Sequence, residues 1–361
     1  MKITGIRLGH LSTPLKAPFK TALRTVTHVE SVLVRAETDT GHTGYGSASP
    51  SPPITGETSD SIRQAIEGQI ARQIIGCSIE DFEVLMSRVH HAVDGNTSAK
   101  AAVDIALYDL YGQWRKAPVY QLLGGQRRKL STDLTISVNE PEEMLRDSLE
   151  AVAQGFTVLK VKVGKDPAKE LEALRAIREG IGDAIALRID ANQAWTPREA
   201  VRILKKIEDA GIRIELVEQP VPGHDLEGLR QVKEHVSIPV VADESAFSPE
   251  DVRRIIRMRA ADMINIKLMK TGGIREALAI CALAENAGME CMIGCMMESR
   301  VSVTAAAHLA SAKQIITRVD LDAPILCADD RIEGGALFRG DTITLSDAPG
   351  FGFTFDSDSF S

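Results

Sequence analysis

No run of 18 apolar residues occurs in the 361-residue sequence, so a membrane-spanning helix is not expected. The opening residues, MKITGIRLGH, read as a strand and lack the apolar core of a secretory signal. Cysteine is sparse. Five residues, odd in number and scattered, argue against a disulfide framework. Cys291 and Cys295 are the closest pair, and no second pair completes a zinc site. Reduced thiols in a cytoplasmic protein are the expectation. Positive charge is not in excess either: the net charge is -8, which makes nucleic acid an unexpected partner.

What is present is a 44% hydrophobic fraction over a length that suits a barrel domain plus a smaller unit. The first 50 residues alternate as strands do, and SVLVRAETDTGHTGYGSASP reads as a hairpin turning near Asp39-Thr40-Gly41. Residues 57–116 change period. SAKAAVDIALYDLYGQWRK has Ser98 as a possible cap and Ala102, Val103, Ala106, Leu107 and Leu110 at helical spacing. Residues 1–125 therefore read as a small α+β unit closed by Gly124-Gly125.

Beyond it the pattern is strand, loop, helix, repeated. Eight apolar runs recur: TDLTISV, TVLKVKV, IALRID, IELVEQP, IPVVADES, MINIKLMK, ECMIGCM and ITRVDLD. Polar residues near their ends, Thr135, Lys160, Asp190, Glu218, Asp243, Lys267, Cys295 and Asp320, follow at steps of 24 to 30 residues. A (β/α) barrel of about 250 residues needs roughly 30 per unit. The alternative is a doubly wound open sheet, but no G-x-G-x-x-G follows the first strand of the repeat. The expected fold class is α/β, a modified TIM barrel (β/α)7β over 126–325 with an N-terminal α+β capping domain.

In such a barrel the C-terminal strand ends share one mouth. Asp190, Glu218 and Asp243 then come from three consecutive strands. One Asp there could merely cap the next helix. Three together repel unless a cation neutralises them, and oxygen ligands without His or Cys favour Mg²⁺. Lys160 and Lys162 lie two apart and share a face of their strand. Facing inward, they flank the carboxylates on one side, and Lys267 flanks them on the other; the alternative is that both face solvent. A carboxylate substrate held at the cation would have a lysine on each side. That arrangement suits removal of the proton α to a carboxylate. A lysine with its pKa lowered by the cation and by desolvation is the expected base.

The motifs KVKVG, DANQ, VEQP, ADES and NIKLMKTGG, with APGFGF near the end, resemble the muconate-lactonizing subgroup of the enolase superfamily over essentially the whole chain. The resemblance implies Mg²⁺ on Asp190, Glu218 and Asp243, and Lys162 and Lys267 as the two bases. Lys160 is implied to support the substrate carboxylate, and residues 326–361 to pack back on the capping domain. Within the subgroup, Asp320-Leu321-Asp322 is similar to the Asp-x-Asp by which dipeptide epimerases hold the substrate ammonium. PFKTALRTV, residues 18–26, resembles a capping loop whose arginine, here Arg24, meets a glutamate side chain. Cys295 and Met297 fall in the substrate-lining segment, where relatives often have Ser and Ile; Thr135 lies on the same mouth. The implied activity is epimerisation of a dipeptide such as L-Ala-D/L-Glu. An N-acylamino acid racemase, an o-succinylbenzoate synthase and a catalytically silent metal-binding scaffold remain as alternatives. Homo-oligomers are common in the superfamily and one is expected here.

Overall fold

Two long strands of alternating burial open the computed structural model, which describes residues 1–21, 24–329 and 332–355. Ala22 and Leu23, within the 18–26 stretch, lie outside the described residues, as do Asp330, Arg331 and residues 356–361 of the C-terminal segment. Strands β1 (Ile3–Lys20), β2 (Thr25–Thr38) and β3 (Thr43–Ala48) form an antiparallel sheet in that order. On β2, Val32, Val34 and Ala36 alternate inward and are fully buried. They pack toward helix α1 (Thr97–Arg115). A side chain at Gly44 would strike the Ala106 carbonyl and Leu110, and one at Gly46 the Ala102 carbonyl. Sheet and helix thus meet backbone to backbone, which only glycine allows.

Helix α1 is not capped by Ser98. It begins at Thr97, with Asn96 in the cap position two residues before Ser98. The buried Glu57 carboxylate accepts from the Ser98 and Ala99 amides at 2.8 and 3.1 Å. A charged side chain from another element supplies the acceptors that the first turn needs.

The eight apolar runs become eight parallel strands. These are β4 (Leu134–Ile136), β5 (Val158–Lys162), β6 (Ala186–Asp190), β7 (Leu216–Glu218), β8 (Val240–Ala242), β9 (Met263–Ile266), β10 (Glu290–Gly294) and β11 (Ile316–Asp320), paired in sequence order. Helices α2 (Pro141–Ala153), α3 (Pro167–Ile181), α4 (Pro197–Asp209), α5 (Leu226–His235), α6 (Pro249–Met258), α7 (Ile274–Asn286) and α8 (Arg300–Ala312) connect them. Three start with a capping residue followed by proline, at Asp166-Pro167, Thr196-Pro197 and Ser248-Pro249, which stops the loop sharply. The ring is a nearly closed barrel. At its seam β4 and β11 share no ladder; the Asp133 amide donates to the Val319 carbonyl (3.3 Å), the Leu321 amide to Thr132 (2.8 Å) and the Thr135 amide to Asp322 (2.7 Å).

Both faces of each barrel strand are covered, which is why Leu159, Val161 and Val163 are as buried as Lys160 and Lys162, which alternate with them. Toward the N-terminal ends of the strands, Arg188 bridges Asp133 (2.7 Å) and Glu215 (2.8 Å), and Arg318 bridges Glu215 (2.6 Å) and Glu290 (3.3 Å). Leu216, Val241, Met263 and Met292 form an apolar cluster beside this network.

After β11 the chain turns back. Short strand Leu337–Arg339 pairs with Thr342–Thr344, which pairs in turn with Leu130–Ser131, and the Phe351 amide donates to Asp109 of α1 at 2.8 Å. All five cysteines are free thiols. Among the described residues no helix is long and apolar enough to cross a membrane.

Candidate active site

The register aligns Lys162, Asp190 and Glu218 on neighbouring strands at the C-terminal end of the barrel. Lys160 lies one layer deeper, opposite Thr135 and Arg188. Both lysines point inward and are buried.

The buried groups form one ionic cluster. The Lys160 ammonium lies 2.6 Å from Glu218, 2.7 Å from Asp320 and 3.2 Å from Asp190. It spans the ring between the metal-binding candidates and the eighth strand, a reach that its position on the strand does not reveal. Lys162 contacts Asp190 at 2.6 Å, and Lys267 contacts Asp243 at 2.7 Å and Glu218 at 3.7 Å. Lys270 contacts the Asp243 carboxylate at 2.5 Å and donates to the Asn265 carbonyl. Asn265 donates to Glu218 at 2.8 Å, and the Asn192 amide to Asp190 at 2.8 Å.

One small cavity, about 50 Å³, lies above the cluster. Arg24, Thr135, Lys160, Lys162, Lys267, Cys295, Met297, Asp320 and Asp322 all line it. Asp190, Glu218 and Asp243 do not; they lie beneath the lysines and are at most 2% exposed. Phe19, Asn192 and Glu244 also line the cavity. Asn192 and Glu244 were hidden in plain motifs, DANQ and ADES, where the acidic ligand candidate drew attention. Phe19 is carried in by the β1–β2 ribbon, whose tip no local pattern places. A larger cavity of about 450 Å³ lies outside the barrel between α3 and α4. Its wall is mostly aliphatic, and the lysine–carboxylate cluster lies elsewhere.

The backbone is strained at the same mouth: Asn192, Gln193 and Gln219 have φ of 43°, 68° and 34°. Such conformations persist where surroundings hold them, and they gather at functional sites.

Electrostatics sort the carboxylates. Burial disfavours charge on Asp190, but Lys162, Lys160 and Lys267 overcome it and hold the acid down at about 2. Asp243 is held lower still against burial by Lys267 and Lys270. Burial, with Asp243 and Asp190 nearby, pushes Glu244 up to about 8. Burial and the neighbouring Asp320 push Asp322 up to about 6. Lys267 departs from the expected lowered base. Burial does act downward, but Asp243 and Glu218 outweigh it and raise the ammonium's pKa. A divalent cation on those carboxylates would cancel that attraction and add repulsion, both of which lower it.

Asp190, Glu218 and Asp243 fit a hard cation by chemistry, being buried oxygen donors on consecutive strands. Among the described residues no three His, Cys, Asp or Glu side chains stand as a ready metal-binding group, because each carboxylate is drawn onto a lysine. Glu218 Oε2 and Asp243 Oδ1 sit in ion contacts without hydrogen-bond geometry. The carboxylates that touch these lysines are Asp190, Glu218, Asp243 and Asp320; Glu244 and Asp322 line the cavity. Carboxylates therefore outnumber lysines at the mouth, and the crowding shows in Glu244 and Asp322, whose pKa values are pushed up to about 8 and 6.

Comparison with known proteins places the chain in a family. Residues 3–124 match the mandelate racemase / muconate lactonizing enzyme N-terminal domain, and 143–359 match the enolase C-terminal domain-like family. The L-Ala-D/L-Glu epimerase of Clostridium acetobutylicum is 58% identical over 98% of both chains. The substrate-liganded L-Ala-D/L-Glu epimerase of Bacillus subtilis superposes with a TM-score of 0.96 at 48% identity, covering 98% of this chain and 99% of that one. The dipeptide epimerase of Enterococcus faecalis, complexed with Mg and L-Leu-L-Tyr, gives 0.95 at 42% identity over 98% and 100%.

Proposed function

The chain belongs to the mandelate racemase / muconate lactonizing enzyme family of the enolase superfamily, and from that premise we propose that it is a Mg²⁺-dependent dipeptide epimerase acting on L-Ala-D/L-Glu. It is an isomerase that inverts the α-carbon of the C-terminal residue. The observation that carries this reading is the pairing of Lys162 and Lys267 across one cavity, with an acid pair at one side of it and an arginine in its wall.

Lys162 and Lys267 belong to the second and sixth of eight strand ends, directly across the ring. One Nζ takes the α-proton and the other returns a proton to the opposite face, so the centre inverts. After turnover the two lysines have exchanged protonation states and are set for the reverse direction. Lys160, locked among three carboxylates that raise its pKa well above the ordinary value against its burial, stays an ammonium and moves no proton. Asp190, Glu218 and Asp243 would hold Mg²⁺, which supplies positive charge for the substrate carboxylate as negative charge develops there.

Specificity follows from charge. Asp322 lines the cavity beside Asp320, and together they receive the substrate ammonium. Arg24, half-buried in the wall, receives the glutamate carboxylate. L-Ala-L-Glu has a net charge of about -1 at neutral pH. Arg24 in the cavity wall supplies a positive charge to meet it. An N-acylated amino acid brings no ammonium and leaves the acid pair unanswered. Five free thiols fit a reducing, cytoplasmic compartment, and a homo-oligomer in that compartment is the assembly we propose.

The test is α-hydrogen exchange in D₂O with Mg²⁺, followed by NMR over a panel of dipeptides and N-acyl amino acids. L-Ala-L-Glu should exchange and epimerise fastest, and EDTA should stop both. Preference for N-succinyl amino acids, or full activity without metal, would overturn the reading.

A further inference from the structure

The β1–β2 hairpin extends beyond its own sheet to the mouth of the barrel. Near its tip the Thr21 amide donates to the Arg24 carbonyl at 2.9 Å, and the Arg24 amide to the Thr21 hydroxyl at 3.2 Å. The pairing slips just before this: Pro14 faces His28, yet Phe19 faces Val26. Four residues of β1, Leu15 to Pro18, thus stand against one of β2, a bulge that bends the ribbon.

The bent portion is tied to both edges of the barrel seam. After β11, the Ala328 amide donates to the Pro14 carbonyl at 2.8 Å, and Lys16 donates to the Ile325 carbonyl at 2.7 Å. After β4, three contacts converge on one residue. The Lys20 amide donates to the Ser137 hydroxyl (3.0 Å), the Val138 amide donates to the Lys20 carbonyl (3.1 Å), and the Lys20 ammonium donates to Asn139 Oδ1 (2.6 Å). Between the two ties lies Phe19, its ring centroid 5.9 Å from the Lys162 ammonium. Just beyond the second tie lies Arg24.

We propose that Lys20 is a positioning residue that clasps the ribbon to the loop after β4, seating Phe19 on Lys162 and Arg24 over the cavity. This rests on the reading of Lys162 as a base and Arg24 as the side-chain contact. Lys20 touches neither substrate nor reacting atoms. Its side chain is the part of the tie that mutation can remove, because the other two bonds use its backbone. Ordering the ribbon over the cavity has an entropic cost, and the clasp offsets part of it before the substrate arrives.

The experiment uses the full-length enzyme and the variants Lys20→Ala, Lys20→Arg, Asn139→Ala and the Lys20→Ala/Asn139→Ala double. Lys20→Ala and Asn139→Ala should each raise KM for L-Ala-L-Glu about tenfold, the worth of one charge-assisted hydrogen bond, with kcat changed less than about threefold. The double variant should be no worse than either single one, because the two side chains act as a pair. Lys20→Arg, which keeps a cationic donor, should recover most of the loss. An unchanged KM, or additive losses in the double variant, would overturn the clasp. Limited trypsin digestion gives a readout independent of activity: Asn139→Ala should speed cleavage after Arg24 about tenfold. An unchanged cleavage rate overturns the clasp even if the enzyme is active. A parent protein inactive on every dipeptide overturns the functional reading, while the cleavage comparison still decides the clasp.

Discussion

The two ends of the barrel interior both bury charge, and they do it differently. At the N-terminal end Arg188 and Arg318 each lie between two acids, and each acid lies against an arginine. At the mouth four acids contact four lysines, Lys160 alone contacts three of them, and two further acids, Glu244 and Asp322, have pKa values pushed up to about 8 and 6. Arginine suits the first task, since its planar fork satisfies two partners and never loses its charge. Lysine suits the second, since its charge can be moved by its surroundings. The lower network finds its partners within the chain; the upper one gathers its acids around an open cavity.

The most severe break of that contrast is at the lysines that exchange protons. Lys162→Ala and Lys267→Ala should each lower epimerisation by at least about a thousandfold, within the range for a lost general acid–base group. Each variant should keep slow α-hydrogen exchange in one diastereomer through the surviving lysine. NMR in D₂O reads both, and epimerisation at the parent rate in either variant refutes the two-base assignment.

Arg188→Met is the counterpart at the lower end. It strands the buried Asp133, while Glu215 keeps Arg318, and should cost about 3–5 kcal/mol in urea unfolding, as loss of one partner from a buried pair does. Turnover per folded molecule should be unchanged. A kinetic defect at full stability would mean that the two ends are one functional unit.

Asp322→Asn should lower kcat/KM for L-Ala-L-Glu about ten- to a hundredfold, the worth of a charge-assisted contact. Slow turnover of an N-acyl glutamate should change far less, because that substrate has no ammonium to lose. Equal losses on both would show that Asp322 serves the barrel seam, through the Thr135 amide, rather than the substrate.

The smallest effect is the most diagnostic. Glu218→Gln removes one of the excess negative charges and should leave Mg²⁺-free stability within about 1 kcal/mol of the parent, or raise it. The same change should abolish both turnover and the rise in Tm that Mg²⁺ gives the parent. A loss as large as that of Arg188→Met would erase the distinction between the two networks.

Much of this was legible in the sequence, and the reasons are physical. Strand ends at steps of 24 to 30 residues read as a barrel because each unit must cross the same thickness twice. Three successive acids read as a cation site because like charges do not gather unaided. The floor network was not legible, since Asp133, Arg188, Glu215 and Arg318 come from four separate units with no common spacing. Nor was the cap of α1, where a local reading chose Ser98 and the fold used Glu57, 41 residues earlier. Lys267 shows how far the sign depends on what is bound: the bare carboxylates raise its pKa, while the lowered value expected of a base belongs to the site with its cation.

Gly44 and Gly46 bring β3 into backbone contact with α1 and so fix the base of the ribbon. From Val34, paired with Gly46, to Thr25 the strand runs nine residues, a lever arm of about 30 Å at 3.4 Å per residue. A tilt of about two degrees at the fulcrum moves such an arm's end by about 1 Å, a misplacement that can cost a hundredfold in rate. A methyl group at either glycine is therefore felt twice, in the core where it strikes the helix backbone and at a distance, at Phe19 and Arg24.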